Sequence, residues 1–356
     1  CLDLVALGTV ADLVPLDRNN RVLVAQGLQR IRAGRTRPGI TALFASAGVA
    51  REDATPADFG FRIAPQLNAA GRLDDMSVGI ECLLAATPAE AERLAGLLAD
   101  LNQQRRVLQR TMQADAESLV DGLLDAAAAD ADEGVDGACL YDASWHQGVV
   151  GLVASRVKDR LQRPVVAFAD GEHPDVLKGS ARSVTGVHIR DVLAAMDARV
   201  PGLIERFGGH AMAAGLSLRK DRLSAFRELF LQELQRWRHV FPSDDAILSD
   251  GELAPTELTL RLAELLRHSG PWGQAFPEPV FDGQFEVLSQ RVVGTDHLKL
   301  RLRHIAGSSA VDAIAFNQPL LDLQPGAVCI AAFRLDVNDF RGRRSQQLVV
   351  EHIECV

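Results

Sequence analysis

Residues 137–183 read GACLYDASWHQGVVGLVASRVKDRLQRPVVAFADGEHPDVLKGSARS, and the order of patterns inside this stretch decides the fold class. A short apolar run, ACLY, comes first. Residues from about Gln147 to Leu161 then carry apolar side chains at helical spacing, and a second apolar run, PVVAFA, follows. A Gly/Ser segment, Lys178 to Ser183, is expected as a loop leading to another helix near Asp191. Short apolar runs alternating with helical patterns predict an α/β unit with strands paired beneath helices. A further helix over Leu223 to Trp237 closes the unit.

Upstream, AAAADADEGVDG (126–137) reads as a linker, and before it stands the clearest helix start in the chain. In Thr87-Pro88-Ala89-Glu90 the threonine caps, proline takes the first helical position, and the glutamate completes a capping box. Leu94, Leu98, Leu101, Leu108, Met112 and Leu119 continue an apolar face to about Ala127. Such a helix would span roughly 60 Å at 1.5 Å per residue. Its charged part, QQRRVLQR (103–110), reads either as a solvated face or as a phosphate contact. The opening LDLVALGTVADLVPLDRNN (2–20) is nearly continuous in apolar residues, a pattern that fits a buried strand or a buried helix alike. Asn20 is expected to cap a helix carrying Val24, Leu28 and Ile31, ended by Gly34. Thr55-Pro56-Ala57-Asp58 and Ser77 are further helix starts, with Arg62 to Asp75 expected as a loop-bearing connection between them.

Downstream, Phe241 to Ser249 reads as a second linker, and the pattern changes again from Asp250. After one helix over Pro255 to Arg267 come FEVLSQRVV, LKLRLR, AVDAIAF, AVCIAAFRL and QQLVVEHIE. Five strands with turn residues between them predict a small barrel of the OB type.

The composition narrows the function classes. The 356 residues carry a formal charge of −9, with 47% hydrophobic and 24% charged residues, which excludes a uniformly basic nucleic-acid binder and a wholly disordered chain. No apolar run approaches the roughly 18 residues that a membrane-crossing helix needs. The 5 cysteines are scattered and never form C-x-x-C, which argues against a disulfide framework or a zinc ribbon and favours a reducing cytoplasm. The first residue is Cys, with an apolar segment directly behind it, so the chain reads as part of something longer.

Several segments carry residues suited to chemistry. Asp12, in GTVAD, sits in an apolar stretch where an unpaired carboxylate is costly; a helix-end Asp, an ion pair or a metal would each remove that cost. Asn68-Ala69-Ala70-Gly71-Arg72 combines small residues with an arginine able to fork onto a phosphate, and a plain turn is the alternative. In Lys178-Gly179-Ser180-Ala181-Arg182-Ser183, hydroxyls and cations around a glycine make a phosphate cradle, although such loops are also ordinary connections. Phe207-Gly208-Gly209-His210-Ala211-Met212-Ala213-Ala214-Gly215 crowds small residues around one histidine, which suits either proton donation to a phosphate or a tight helix-packing contact. Trp145-His146-Gln147-Gly148 is a weaker version of the same pattern. Arg341-Gly342-Arg343-Arg344 reads as a basic hairpin in a region where ten Lys and Arg face fourteen Asp and Glu, so any nucleic-acid contact there must be local.

In this order, LDLVALGTVADLVPL, RIAPQLNAAGRLDD, WHQGVVGLVASRVKDR, GSARS and FGGHAMAAGL closely resemble the RecJ exonucleases of the DHH phosphoesterase superfamily. The resemblance implies an α/β protein of four parts. These are a C-terminal remnant of the DHH catalytic domain (1–86), a connecting helix and linker (87–130), a DHHA1 domain (131–242) and an OB-like nucleic-acid-binding barrel (250–356). It further implies 5′-to-3′ degradation of single-stranded DNA in recombination and repair, by two-metal phosphodiester hydrolysis with Mn²⁺ or Mg²⁺. The expected partners are single-stranded DNA and a single-strand-binding protein or helicase, with no membrane.

Carried over by motif, Asp12 would be one metal ligand, and the rest would lie upstream of Cys1. Asp-His-His occurs nowhere in the 356 residues, and Asp-x-Asp only as Asp130-Ala131-Asp132 in the linker, so the chain is expected to be inactive alone. Ser180 and Arg182 match the 5′-phosphate-binding residues and Arg72 contributes. Gly208, Gly209 and His210 form the GGH motif, with His210 facing the scissile phosphate. Two other readings compete: a DHH/DHHA1 enzyme acting on short RNA, cyclic dinucleotides or pyrophosphate, and a non-catalytic single-strand-binding scaffold. The tail after Asp250 counts against the first, since smaller relatives stop after DHHA1.

Overall fold

The computed structural model describes residues 1–128, 135–241, 246–294, 297–316, 318, 320–321, 324–340 and 342–355. The opening apolar stretch is helical: α1 covers Leu2–Ala11 and α2 covers Arg18–Arg32. The two helices pack closely, because a Cβ on Gly27 would lie 2.4 Å from both the Ala6 Cβ and the Leu2 carbonyl oxygen. Asp17, not Asn20, caps α2, and its carboxylate accepts the Asn20 N–H at 2.8 Å. The capping reading placed the helix start three residues late, since Asn20 itself supplies one of the orphan amides that a cap must satisfy. Helix α3 (Pro38–Ser46) begins with proline at its first turn.

Thr55 and Asp58 form a capping box on α4 (Pro56–Asp58), which continues through a π turn, Phe59–Ile63, into α5 (Ala64–Leu73). The expected loop over Arg62 to Asp75 is therefore mostly helix, and NAAGR lies on α5. Buried Ile63, Leu67 and Ala70 fall at helical spacing, and their burial overrides the weak propensities of Asn68 and Gly71. Helix α6 (Ser77–Leu84) starts where the sequence indicated. So does α7 (Pro88–Ala128), whose 41 residues open with the Glu90 N–H donating to the Thr87 hydroxyl at 3.4 Å.

The chain forms two compact units. One holds residues 1–65, 81–95 and 246–356; the other holds residues 66–80 and 96–245. The second is built on a five-stranded sheet. Its elements are β1 (Ala138–Tyr141), α8 (Val150–Leu161), β2 (Val165–Asp170), β3 (Val176–Arg182), α9 (Ile189–Arg199), β4 (Arg206–Gly209), β5 (Ala213–Arg219) and α10 (Leu223–Gln235). The strand order is β1-β2-β3-β5-β4, with β1 parallel to β2 and the other pairs antiparallel.

Alternation along the strands builds two cores. Val166, Phe168, Leu177 and Ala181 pack with α9 and α10 residues such as Leu193 and Phe230. Val165, Ala167 and Ala169 pack with Val153 and Val157 of α8 and with Met112, Ala116 and Val120 of α7. Each fully buried aliphatic or phenyl side chain here stabilises the unit by about 1.5–3 kcal/mol. The expected loop over Lys178 to Ser183 is instead the end of β3. Gly179 is required there, because a Cβ would lie 2.5 Å from the Phe168 ring and 2.8 Å from Leu216. The glycine-rich segment 207–215 is a hairpin of β4 and β5, which replaces the helix-packing alternative.

In the first unit, α11 (Leu260–Ser269) precedes β6 (Phe281–Val293), β7 (His297–His304), β8 (Ala310–Ala315), β9 (Val328–Phe340) and β10 (Arg343–Cys355). These strands close into a barrel in the order β10-β8-β7-β6-β9. All five expected strands are present. Helix α11 starts later than Pro255 because Thr259 caps it, accepting the Leu262 N–H at 3.2 Å. The barrel core holds Phe285 and Phe333 edge to face at 5.6 Å, with Ala263 of α11 against it. Among the described residues, no helix is long and apolar enough to cross a membrane.

Candidate anion-binding site

On β3, Lys178, Ser180 and Arg182 share one face, because side chains alternate along a strand. That face is the one α8 covers, since Ser180 pairs with Ala167 and Arg182 with Val165. Arg182 is held by its neighbours: Nη1 donates to Ser180 Oγ at 2.8 Å and Nε donates to Ser155 Oγ of α8 at 3.1 Å. Gly151, in the first turn of α8, makes room for this fork. A Cβ there would lie 2.8 Å from Arg182 Nη2 and 2.9 Å from Ser180 Oγ. The N-terminal turn of α8 adds its own partial positive charge beside the fork.

Arg72 joins the same unit from α5. Its Nη1 donates to the Gly148 carbonyl oxygen at 3.2 Å, in the turn ahead of α8. In that turn the His146 ring nitrogen accepts the Gly148 N–H at 3.1 Å, so this histidine shapes the backbone. A third arginine, Arg105 of α7, was not singled out from the sequence, which left QQRRVLQR open as a solvated face. Its signal is positional: Leu98, Asn102, Arg105 and Met112 fall on the inward side of α7, where a half-buried charge is unusual.

The electrostatics of the three arginines are one-sided. Burial lowers Arg182 below its ordinary guanidinium value, and the charge of Arg72 lowers it further. Burial alone lowers Arg72. Arg105 is lowered by burial first, then by the charges of Arg106 and Arg72. No carboxylate pairs with any of them among the described residues, so the cluster carries uncompensated positive charge that a bound anion would neutralise.

The remaining expected residues fall around this cluster or elsewhere. Gly208 pairs with Gly215, which pairs with Ser180, so Gly208 lies two strands from Ser180 in the same row. Nothing lies within 4 Å of a Cβ on Gly208, leaving open space on that side. Gly209 has φ +148°, and a Cβ would meet the Ala213 carbonyl oxygen at 2.3 Å, so only glycine fits. His210 is exposed at the hairpin tip, and its N–H donates to the Ala213 carbonyl oxygen at 2.8 Å, next to the Arg182 partner Ala213. Ser183 departs from its expected role: buried, its hydroxyl donates to the Val187 carbonyl oxygen at 2.7 Å. Lys178 Nζ donates to Ser217 Oγ at 3.0 Å.

Asp12 belongs to the other unit. It follows α1 as an exposed residue, so the expectation of a costly buried carboxylate fails. Asp3 is the buried one, and it accepts hydrogen bonds from the Thr36 hydroxyl at 2.9 Å and the Arg37 N–H at 3.1 Å. Among the described residues, no group of three or more His, Cys, Asp or Glu could hold a metal ion. A complete ligand set for Mg²⁺ or Mn²⁺ is therefore not present among the described residues. Burial pushes the Cys82 and Cys139 thiols up to about 11, which removes them as nucleophiles at neutral pH. In the basic hairpin Arg341 lies outside the described residues, and Arg344 pairs with Glu264 at 3.5 Å.

Comparison with known proteins identifies the surroundings of this site. Residues 134–236 match the DHHA1 domain and residues 249–352 the RecJ OB domain. The chain is 51% identical to the single-stranded-DNA-specific exonuclease RecJ of Dickeya dadantii, over 99% of this chain and 61% of that protein. It is 47% identical to the Escherichia coli protein of the same name, over 99% of this chain and 60% of that protein. The crystal structure of Thermus thermophilus RecJ in complex with Mg²⁺ superposes with a TM-score of 0.76 at 29% identity, covering 99% of this chain and 52% of that one. The Mn²⁺ complex gives 0.77 at 30%, covering 99% and 49%. The chain thus spans about three-fifths of the length of these curated relatives. With its sequence matched nearly end to end, and both its α/β unit and its barrel assigned, the chain is similar to the RecJ exonucleases over nearly its whole length.

Proposed function

We propose that the chain is the DNA-end-binding part of a 5′-to-3′ exonuclease specific for single-stranded DNA, acting in recombination and repair. Arg72, Ser180 and Arg182 seat the 5′-phosphate. Gly208 and Gly209 let the strand approach the sheet, His210 faces the scissile phosphate, and the OB barrel guides the incoming strand. The observation that carries this reading is the Arg182 fork, fixed by Ser180 and Ser155 beside Arg72, with no carboxylate among the described residues to neutralise it. A terminal phosphate carries about −1.5 to −2 at pH 7 against −1 for an internal one, so such a cluster selects ends. Seating the end places the first linkage at a fixed distance, which is how binding energy becomes positional control over the cut.

The relatives of known structure hold Mg²⁺ or Mn²⁺, and hydrolysis by this family calls for metal ligands that the described residues do not supply. In this reading the chain binds and positions, while cleavage depends on ligands beyond the described set. Among the described residues Cys1, Cys82, Cys139 and Cys329 form no disulfide, which fits a reducing cytoplasm. A single-strand-binding protein or a helicase would deliver the strand.

The test is release of mononucleotides from 5′-phosphorylated single strands with Mn²⁺, by this chain and by a form extended to the length of the relatives. Release by the extended form alone supports the proposal. Release by neither form favours a non-catalytic scaffold.

A further inference from the structure

The inward face of α7 changes character along its length. Leu98 and, further on, Met112, Ala116 and Val120 are buried and apolar, but Asn102, Arg105 and Gln109 interrupt them at the same helical spacing. Asn102 is only 6% exposed, and its Oδ1 has no hydrogen-bond partner. The Nε of Arg105 is also buried without a partner. An orphaned buried polar atom costs about 1–3 kcal/mol, and two on successive turns of one helix face imply a ligand that satisfies them.

The charge count points the same way. Arg72 acts through its charge on both Arg105 and Arg182, and none of the three pairs with a carboxylate among the described residues. A terminal phosphate neutralises at most about two of three positive charges, and a neighbouring phosphodiester would supply the third. We propose that Arg105 and Asn102 form a second anion subsite on α7, which takes the first internal phosphodiester of a strand whose 5′-phosphate is seated by Arg182. This inference rests on the end-phosphate reading above. Arg105 donates to the diester oxygens as a charge-assisted fork, and Asn102 contributes its amide N–H to the same group and its carbonyl to a sugar or base donor.

The experiment measures binding of thymidine 5′-phosphate and of the 5′-phosphorylated dinucleotide pTpT to the 356-residue chain and its variants. Only the dinucleotide contains an internal diester. Arg105→Ala should weaken the dinucleotide about tenfold and the mononucleotide less than about twofold, whereas Arg182→Ala should weaken both about equally. Asn102→Leu should follow Arg105→Ala with a smaller loss. Equal loss of both probes in Arg105→Ala, or loss of neither, would overturn the second subsite. No effect of Arg182→Ala on either probe would overturn the end-phosphate reading, and with it the assignment of Arg105 to the adjoining diester. Arg105→Ala should keep the thermal midpoint of the parent chain; a drop together with loss of both probes would mark Arg105 as structural.

Discussion

Arg72 and Gly148 are fastened to each other in both directions. The guanidinium donates to the Gly148 carbonyl oxygen at 3.2 Å, and a Cβ on Gly148 would lie 2.1 Å from the Arg72 carbonyl oxygen. Two motifs separated by 76 positions thereby meet in one unit, and the arginine is aimed by backbone contact.

Gly148→Ala should therefore disturb both stability and binding. The obstacle is a backbone atom, which cannot rotate away, so a loss of about 2 kcal/mol or more is expected in chemical denaturation. Binding of a 5′-phosphorylated strand should fall with it. Parent-like stability would show that the α5 end can move away from the turn freely.

Gly151→Ala should separate the two effects. The atoms its Cβ would meet are the far ends of Arg182 and Ser180, at 2.8 and 2.9 Å, and alanine suits a helix better than glycine by about 1 kcal/mol. Stability should be unchanged or raised, while affinity for a 5′-phosphorylated strand drops about threefold to tenfold as the fork is displaced. Undiminished affinity would place the anion away from the Arg182 fork.

Acid should weaken the first unit through Asp3. Burial alone would raise its carboxyl, but hydrogen bonds from Thr36, Arg37 and Leu4 outweigh it and hold the group below the ordinary carboxylate range. A folded value below the unfolded one, about 3.9, means that the contribution is present above about pH 4 and lost as pH falls through the lower folded value. Asp3→Asn should cost about 1–3 kcal/mol at pH 7 and flatten the loss of stability below pH 4. An unchanged acid limb in denaturation curves would contradict this.

His210→Ala should leave folding and strand binding alone, because the ring is exposed and only its backbone N–H is bonded to the hairpin. In a form extended to the length of the relatives, its cleavage rate should fall at least about a hundredfold if the ring acts on the scissile phosphate. A rate within about twofold of the parent would leave His210 without a chemical role.

What the sequence made legible depended on whether local rules and tertiary demands agreed. Strands β7 and β8 alternate in burial as their residues alternate, and Thr87-Pro88-Ala89-Glu90 starts α7 by capping chemistry alone. Where tertiary packing ruled, local reading failed. Glycine and serine made residues 178–183 look like a loop, but Gly179 is small because Phe168 and Leu216 press on β3. NAAGR looked like a turn, yet burial of Leu67 and Ala70 makes it helix. Asp12 looked costly by position, while the helical turn exposes it and buries Asp3. Motif order identified Ser180, Arg182 and Arg72 as parts of one cluster, but the inward direction of Arg105 only emerges once α7 is packed.

The most direct measurement compares binding of two single strands, identical except for a 5′-phosphate or a 5′-hydroxyl, to the chain and to Arg182→Ala. The parent should prefer the phosphorylated end by about tenfold or more, and Arg182→Ala should abolish that preference while retaining the weaker, phosphate-independent binding. Equal losses for both strands, or no preference in the parent, would contradict the assignment of this arginine cluster to the DNA end.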